Sequence, residues 1–184
     1  MLKAYTKSSH AQQGFTLIEL MIGIVILAIL MAVAVPSFQS WMLNTQIRNA
    51  AESVQNGLQR ARSEAVTRNT NVAFTLTSPL IIDPVTLVQW RNSSWQISRV
   101  SDGTVIEARA SNEGSSKVSQ TAFPLNANTI TFNNLGGIVP NAASLTRIDF
   151  AAVGGLQNMR VTIGVGGNVR MCDPSQSPPN PRAC

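Results

Sequence analysis

Residues 14–38 read GFTLIELMIGIVILAILMAVAVPSF, and this stretch decides the fold of the chain. Between Leu20 and Val35 it contains no charged side chain. Residues 15–18 extend the apolar run to the roughly 20 residues that a helix needs to span a bilayer. One carboxylate, Glu19, interrupts the run near its start. Because a carboxylate inside a membrane helix is costly, its presence indicates a functional residue with a partner.

Three fates of this N-terminus fit such a pattern. A secretory signal peptide would be cut after the apolar run, where Ala34 offers a small residue, but Pro36 and bulky aromatic residues follow at once. An uncleaved signal anchor would keep the whole segment. Cleavage after Gly14, before the apolar run, would leave the apolar helix on the mature protein. Glu19 would then be part of the mature chain and could act there, whereas a removed signal peptide has no need of a carboxylate.

The stretch resembles the class III signal and first helix of type IV pilins and of the pseudopilins of type II secretion. The matching elements are Gly14 at the end of a basic leader, Phe15 after it, Glu19 as the fifth mature residue and Pro36 within the helix. The resemblance implies a prepilin peptidase that cuts between Gly14 and Phe15, and N-methylation of Phe15. It also implies that Glu19 pairs with the amino group of Phe15 on an adjacent subunit during filament assembly.

Charge predicts the orientation. Lys3 and Lys7 precede the apolar run, and basic residues flanking a span stay on the cytoplasmic side. The chain is therefore expected to cross the bacterial inner membrane once, with everything after Val35 in the periplasm until it enters a filament. Removal of residues 1–14 lowers the formal net charge from +5 to +3, because two lysines and no acidic residue are lost.

The composition argues against an enzyme. His10 is the only histidine and lies in the leader, so the mature chain lacks an imidazole for nucleophilic catalysis. Two cysteines without histidine cannot supply a zinc centre of four thiolates, or of two thiolates and two imidazoles, and no phosphate-binding loop motif is present. We therefore expect no catalytic residue, no metal site and no cofactor.

Beyond Pro36 the pattern becomes amphipathic. Residues 44–69 carry a single apolar seam with a period near 3.5 residues, which predicts that the helix continues to Asn69 with one face on a core. Gly57 lies within this helix. The seam consists of Ile47, Ala51, Val54, Leu58, Ala61 and Ala65.

From Asn71 onward, short alternating β-rich runs predict antiparallel strands, and Ser101–Thr104 predicts a hairpin turn. The large aromatic residues Phe74, Trp90 and Trp95 are expected to pack in the core. The predicted strands are 72–76, 96–100, 105–108, 130–132, 147–150 and 159–163. The fold class is therefore α+β, a long N-terminal membrane-spanning helix packed on an antiparallel β-sheet domain, as in pilins and pseudopilins.

We divide the chain into four parts. Residues 1–14 are the leader to be removed, and 15–43 are the transmembrane and filament-core helix. Residues 44–171 are the periplasmic α+β domain, and 172–184 are a C-terminal tail. Cys172 and Cys184 bound this tail, and an oxidising compartment favours a disulfide between them. The loop between them is either a tether for a frayed end or a stiff surface that contacts a partner.

Three further stretches narrow the resemblance to FimT-type minor pilins and H-type pseudopilins. Residues 58–69, LQRARSEAVTRN, resemble a shared helix end. Trp90 to Gly103 resembles a shared hairpin, with Ser94 where a glycine is usual, and residues 166–172, GGNVRMC, resemble a shared ending. The C-terminal cysteines favour a minor pilin of a type IV pilus, and the alternative is an H-type pseudopilin of a type II secretion system.

A second hypothesis is that the protein binds double-stranded DNA during uptake, as the resemblance to FimT-type minor pilins implies. Binding would act on phosphates and weaken with salt. Against it stand the modest mature charge, Asn168 in place of a family arginine, and the nearby Asp149 and Asp173. The candidate residues are Arg160, Arg170 and Arg182.

Overall fold

The computed structural model describes residues 15–79, 81–82, 89–141 and 144–184. The predicted leader, and with it Gly14, lies outside the described residues, as does the side chain of Trp90.

One helix, α1, spans Leu17–Thr67, and the chain divides into two units between Phe38 and Gln39. In the first unit, every side chain from position 15 to position 38 is exposed. This part of α1 is long and apolar enough to cross a membrane. The helix continues through Pro36, so the local break that proline could cause does not occur, although the carbonyl four residues earlier loses its helical donor.

The second unit contains two sheets. Four strands form one sheet in the order β5-β4-β1-β7, six form the other in the order β10-β9-β8-β6-β3-β2, and neighbouring strands are antiparallel. The strands are β1 Val72–Leu76, β2 Ile81–Ile82, β3 Gln89–Asn92, β4 Trp95–Arg99, β5 Val105–Arg109, β6 Ser119–Phe123, β7 Thr129–Phe132, β8 Arg147–Ala151, β9 Met159–Ile163 and β10 Val169–Cys172.

All six predicted strands are present, within one residue at each end. The predicted hairpin turn is confirmed as well: the amide of Gly103 donates to the carbonyl of Arg99, and Gly103 has a φ of 69°. Four strands were not predicted: β2, β3, β6 and β10. In β6, SQTAF, the polar Gln120 is fully buried and its amide donates to the carbonyl of Asn92 at 2.6 Å. Because a polar residue occupies a buried position, the strand lacks the alternation of polar and apolar residues by which a strand is predicted from sequence.

The predicted apolar seam of α1 is confirmed, because all six of its residues are completely buried. The seam packs into one core with side chains from both sheets. Phe74 and Trp95 belong to this core, as predicted, with ring centroids 5.5 Å apart. The indole nitrogen of Trp95 donates to the Ser53 hydroxyl at 2.9 Å, which fixes the ring against the helix.

Gly57 lets two aromatic side chains of the four-stranded sheet approach α1 closely. A Cβ at this position would lie 2.9 Å from Phe74 and 3.0 Å from Trp95. Both rings are buried, so neither can move aside easily. The glycine costs helix propensity but lets the two aromatic rings pack directly on the helix backbone.

The C-terminal end of α1 is capped by its own backbone. The amide of Thr70 donates to Ala65 and that of Asn69 to Val66, while Asn69 has a φ of 50°. This Schellman pattern satisfies the last helical carbonyls, and asparagine tolerates the left-handed conformation that it requires. The side chain of Asn69 also accepts a hydrogen bond from Asn134 at 2.8 Å, which joins the helix end to the loop after β7.

Glu64 lies buried on the same helix end, between two arginines one turn away on either side. Arg68 donates a hydrogen bond to its carboxylate, and Arg60 lies 2.9 Å from the other oxygen. The hydrogen bond from Arg68 lowers the pKa of Glu64, and attraction to both arginines adds to the effect. The carboxylate therefore remains ionised in its buried place.

Substitution of Gly57 tests the close packing of the helix. We expect Gly57→Ala to lower the free energy of unfolding by about 1–2 kcal/mol, because the cost of overpacking exceeds the roughly 1 kcal/mol that alanine gains in helix propensity. The measurement is denaturant unfolding of the mature chain in detergent. Gly166→Ala is the control, since no atom lies within 4 Å of its Cβ position. A Gly57→Ala protein as stable as the parent would contradict the packing argument.

Candidate functional sites

The start of α1 holds its carboxylate by a reciprocal cap. The backbone amide of Thr16 donates to Oε2 of Glu19 at 2.9 Å, and its hydroxyl donates to the same oxygen at 2.8 Å. In return, the amide of Glu19 donates to the Thr16 hydroxyl at 3.3 Å. This is a capping box, in which the first and fourth residues of the helix start satisfy each other's free amides.

Thr16 was not among the predicted site residues, although its sequence signature is present. Threonine followed three residues later by glutamate, just before an apolar run, is the capping-box signature. Within the described residues, Oε1 of Glu19 accepts no hydrogen bond, and Phe15 is 90 % exposed. One carboxylate oxygen is thus engaged by the chain itself, and the other can accept from a second molecule.

A cluster of arginines covers the outer side of the six-stranded sheet. Arg147 on β8 and Arg170 on β10 both pair with Thr162 on β9, so the three side chains share one face. Arg160 pairs with Asp149 in the next row of the same face. We call these five residues the arginine face. The intervening residues of β8 and β9 point into the core.

Asp149 is the one acidic group of the arginine face, and it is shared by two arginines. Arg160 binds it through two hydrogen bonds of 2.6 and 2.9 Å, and these bonds raise the pKa of Arg160. Nε of Arg147 lies 3.5 Å from the same carboxylate, and its guanidinium stacks 3.6 Å above the ring centre of Phe123. Three guanidinium groups against one carboxylate leave this surface cationic.

Arg147 and Phe123 were not among the predicted site residues. The signal for Arg147 was the alternation in RIDF, which places positions 147 and 149 on one face. Phe123 could not be placed, because its strand, β6, was not predicted. The structure thus places an aromatic ring directly under Arg147.

The C-terminal tail is ordered by hydrogen bonds. Cys172 and Cys184 form a disulfide with their Cα atoms 5.1 Å apart. The amide of Asp173 donates to the carbonyl of Arg182 at 2.7 Å, and the Asp173 carboxylate accepts from the amide of Ser175 at 2.9 Å. Of the two interpretations that the sequence left open, a frayed end or a stiff loop, these contacts favour the stiff loop.

Arg170 anchors this loop to the sheet. Its Nη2 donates to the carbonyl of Ala183 at 2.9 Å and lies 3.5 Å from that of Pro181. These acceptors are neutral carbonyls and do not offset the positive charge of the guanidinium. Arg182 is exposed on the loop, and its side chain forms no ion pair within the part of the chain that the structure describes. The three predicted arginines therefore differ: Arg160 is paired, Arg170 is an anchor and Arg182 is exposed.

Among the described ranges, no three histidine, cysteine, aspartate or glutamate side chains lie close enough together to hold a metal ion. The groups that stand out in these ranges are the capping box at the start of α1, the arginine face, and the tail 172–184 closed by the disulfide, which we call the disulfide loop. These can pair with charged partners and present a rigid surface.

Two family models match the chain. The model described as type II transport protein GspH matches residues 50–179, and the prokaryotic N-terminal methylation motif matches residues 9–35. A fimbrial protein of Pseudomonas aeruginosa is 39% identical over 67 residues, which is 36% of this chain and 43% of the relative. One from Moraxella nonliquefaciens is 51% identical over 41 residues, 22% of this chain and 27% of the relative. The chain thus spans less than half the length of these curated relatives.

Solved structures with a related shape were also found. The type IV minor pilin FimU of Pseudomonas aeruginosa has a TM-score of 0.48 at 19% identity, covering 72% of this chain and 92% of FimU. The minor pseudopilin EpsH of the type 2 secretion system of Vibrio cholerae has a TM-score of 0.44 at 11% identity, covering 71% of this chain and 99% of EpsH. At these values neither neighbour decides a function.

Opening the disulfide tests what holds the tail. In the double variant Cys172→Ser, Cys184→Ser we expect trypsin to cut after Arg182 severalfold faster, and the free energy of unfolding to fall by at most about 3 kcal/mol. Arg170→Lys, with the disulfide intact, should accelerate the same cut less, because the ammonium group cannot reproduce the guanidinium fork. The rate is followed by mass spectrometry. Equal cleavage of parent and double variant would mean that the tail is not held by this bond.

Proposed function

The chain belongs to the type II transport protein GspH family, and we propose that it is a minor pilin of a type IV pilus. The observation that carries the filament-forming part of the proposal is the exposed apolar segment 15–38, which we call the stem, together with the N-terminal methylation motif. A helix whose side chains from position 15 to position 38 are all exposed needs apolar surroundings. A bilayer supplies them before assembly, and the stems of neighbouring pilins supply them afterwards.

The maturation pathway follows from the same motif. Prepilin peptidase removes residues 1–14 between Gly14 and Phe15, and Phe15 becomes the N-methylated start of the mature chain. Residues 15–43 anchor the protein in the inner membrane, with residues 44–171 and the tail 172–184 in the periplasm. The protein then joins the filament or primes its assembly. Its role is structural rather than enzymatic.

Glu19 is the assembly residue in this proposal. Inside a bundle of stems its charge is far from water, and an unpaired buried carboxylate costs several kcal/mol. Thr16 already satisfies Oε2, so the amino group of Phe15 on a neighbouring subunit takes Oε1. Such a pair sets the register between subunits more than it adds stability.

The second candidate in the same family is an H-type pseudopilin of a type II secretion system. Its membrane chemistry is the same, so the stem does not separate the two. The disulfide loop favours the minor pilin, because C-terminal cysteines are frequent in the FimT-type proteins that the chain resembles. Neighbouring genes for pilus assembly or for secretion would distinguish them.

Replacement of the stem carboxylate tests the assembly role. We expect Glu19→Ala to remain in the membrane and to be processed, yet to enter filaments at a small fraction of the parental level, because its neighbour's amino group is left without a partner. The measurement is the amount of protein in sheared filaments relative to the membrane fraction. Glu52→Ala is the matched control, an exposed glutamate on the same helix outside the stem. Normal incorporation of Glu19→Ala would refute the role.

A second candidate activity is DNA binding, and the arginine face is the observation that favours it. Arg147 shares the single carboxylate of Asp149 with Arg160, and Arg170 binds neutral carbonyls, so the face has a net positive charge. The tail that carries Arg182 is tied to the edge strand β10 by Arg170. Guanidinium groups spaced along neighbouring strands match a phosphate backbone, without the donor pattern needed to read bases. The supporting charge is moderate, because Arg160 is occupied by Asp149.

Salt dependence tests DNA binding. The mature chain in detergent should retard double-stranded DNA at low salt and release it as salt rises. The variant Arg147→Ala, Arg182→Ala should bind more weakly and reduce the slope of log K against log salt by about one for each lost contact. Arg170 is left in place because it holds the tail. Arg109→Ala is the matched control, an exposed arginine on an edge strand of the other sheet. No retardation at low salt would remove the candidate.

A further inference from the structure

The turn between β8 and β9 presents two large apolar side chains to solvent. Val153 is 99 % exposed and Leu156 is 80 % exposed, on either side of two glycines. Gly154 has a φ of 83° and the amide of Gly155 donates to the carbonyl of Ala152, so Val153 lies at the tip of a tight turn. Such a turn could carry polar residues, and here it carries valine and leucine instead.

This turn is clamped to the beginning of the second unit's helix. The amides of Leu156 and Gln157 both donate to the side-chain oxygen of Asn44, at 3.0 and 3.2 Å. Gly155 allows a close approach, because a Cβ there would lie 2.8 Å from the end of Ile47. The position of the two exposed apolar side chains relative to residues 44–47 of the helix is therefore fixed by the fold.

The neighbouring part of α1 is also apolar and exposed. Trp41 is 62 % exposed and Met42 is 42 % exposed. Trp41 lines a groove together with Gln157 of the turn, which places the turn and the aromatic side chain on one surface. Met42 follows Trp41 about 100° further round the helix. We call the four side chains Trp41, Met42, Val153 and Leu156 the stem-proximal patch, which forms a band around the start of the second unit's helix.

Two cations accompany this patch. Arg48 lines the same groove as Trp41. Lys117 lies on another side of the helix, one turn from Met42, where its amide donates to Gln46 at 3.4 Å. Both side chains are exposed, and neither forms an ion pair within the described segments. Glu52, one turn beyond Arg48, is the acidic residue on this part of the helix. Apolar side chains flanked by cations are the combination that binds the surface of an anionic membrane.

We propose that the stem-proximal patch lies in the headgroup region of the inner membrane while the protein awaits assembly. This inference rests on the membrane anchoring proposed above. Chain connectivity supports it: Trp41 follows Val35 by six residues, which limits their separation to about 22 Å in any conformation. Tryptophan is enriched at membrane interfaces, where its ring and its polar nitrogen are both accommodated.

A second copy of the chain fits this surface less well than lipid does. A stable protein interface buries about 1,200 Å² or more, with a packed apolar centre. Four apolar side chains flanked by a lysine and an arginine of like charge supply no such centre, and a second copy would bring the same cations into contact. Anionic phospholipid headgroups instead complement Arg48 and Lys117.

The experiment measures the depth of the turn in a bilayer. The mature variant Val153→Cys is labelled with an environment-sensitive fluorophore and reconstituted into phosphatidylcholine vesicles containing phosphatidylglycerol. Because Cys172 and Cys184 are joined, the introduced cysteine is the free thiol. Val165→Cys is the matched control, since Val165 is 96 % exposed in another glycine-rich turn. Spin-labelled headgroups should quench the label at position 153 at least about twofold more than the label at 165.

The same samples distinguish the outcomes. Vesicles of phosphatidylcholine alone should reduce the difference, because Arg48 and Lys117 lose their anionic partners. Equal quenching at both positions in vesicles that carry the protein upward in flotation would overturn the patch while leaving the anchor intact. Failure of the chain to float with vesicles would overturn the anchoring and the patch together. A signal at position 153 that follows protein density rather than the quencher would assign the patch to a second copy.

Discussion

Direct contact between α1 and the four-stranded sheet is the packing on which the rest of the domain depends. Gly57 and the small alanines of the seam bring the helix backbone against Phe74 and Trp95, and Ser53 locks the indole in place. A larger side chain at the centre of this contact would push the helix off the sheet. The Asn44 clamp and the cap at Asn69 position the β8–β9 turn and the β7 loop against this same helix.

The same helix has to satisfy two different surroundings. Its first part exposes apolar side chains and suits apolar surroundings, while its second part buries a narrow seam and exposes arginines and Glu52. Glu19 is the polar exception in the first part, and Thr16 reduces the cost of carrying it by engaging one of its oxygens. The other oxygen accepts no hydrogen bond from the described residues and can accept one from another group.

The arginines of the arginine face differ in the groups that they contact, and therefore in what they do. Arg160 is held by Asp149, Arg170 by the tail carbonyls and Arg147 by Phe123, although all three lie on one sheet face. The disulfide and Arg170 together hold a loop that has almost no apolar residues to pack. Its rigidity therefore comes from a covalent bond and hydrogen bonds, which is typical of short exported segments without a core.

The sequence alone determined the features that depend on local composition and period. The apolar stem follows from residue counts, the buried seam from a 3.6-residue period, and six strands from alternation with turn residues between them. Family resemblance added the cleavage site and the role of Glu19, which remain predictions. The tertiary structure decided which distant residues meet: Asn44 with Leu156, Asp149 with Arg160, Arg147 with Phe123, and Gln120 in the core. Such meetings depend on the order and register of strands, and these are set by long-range packing that no local pattern encodes.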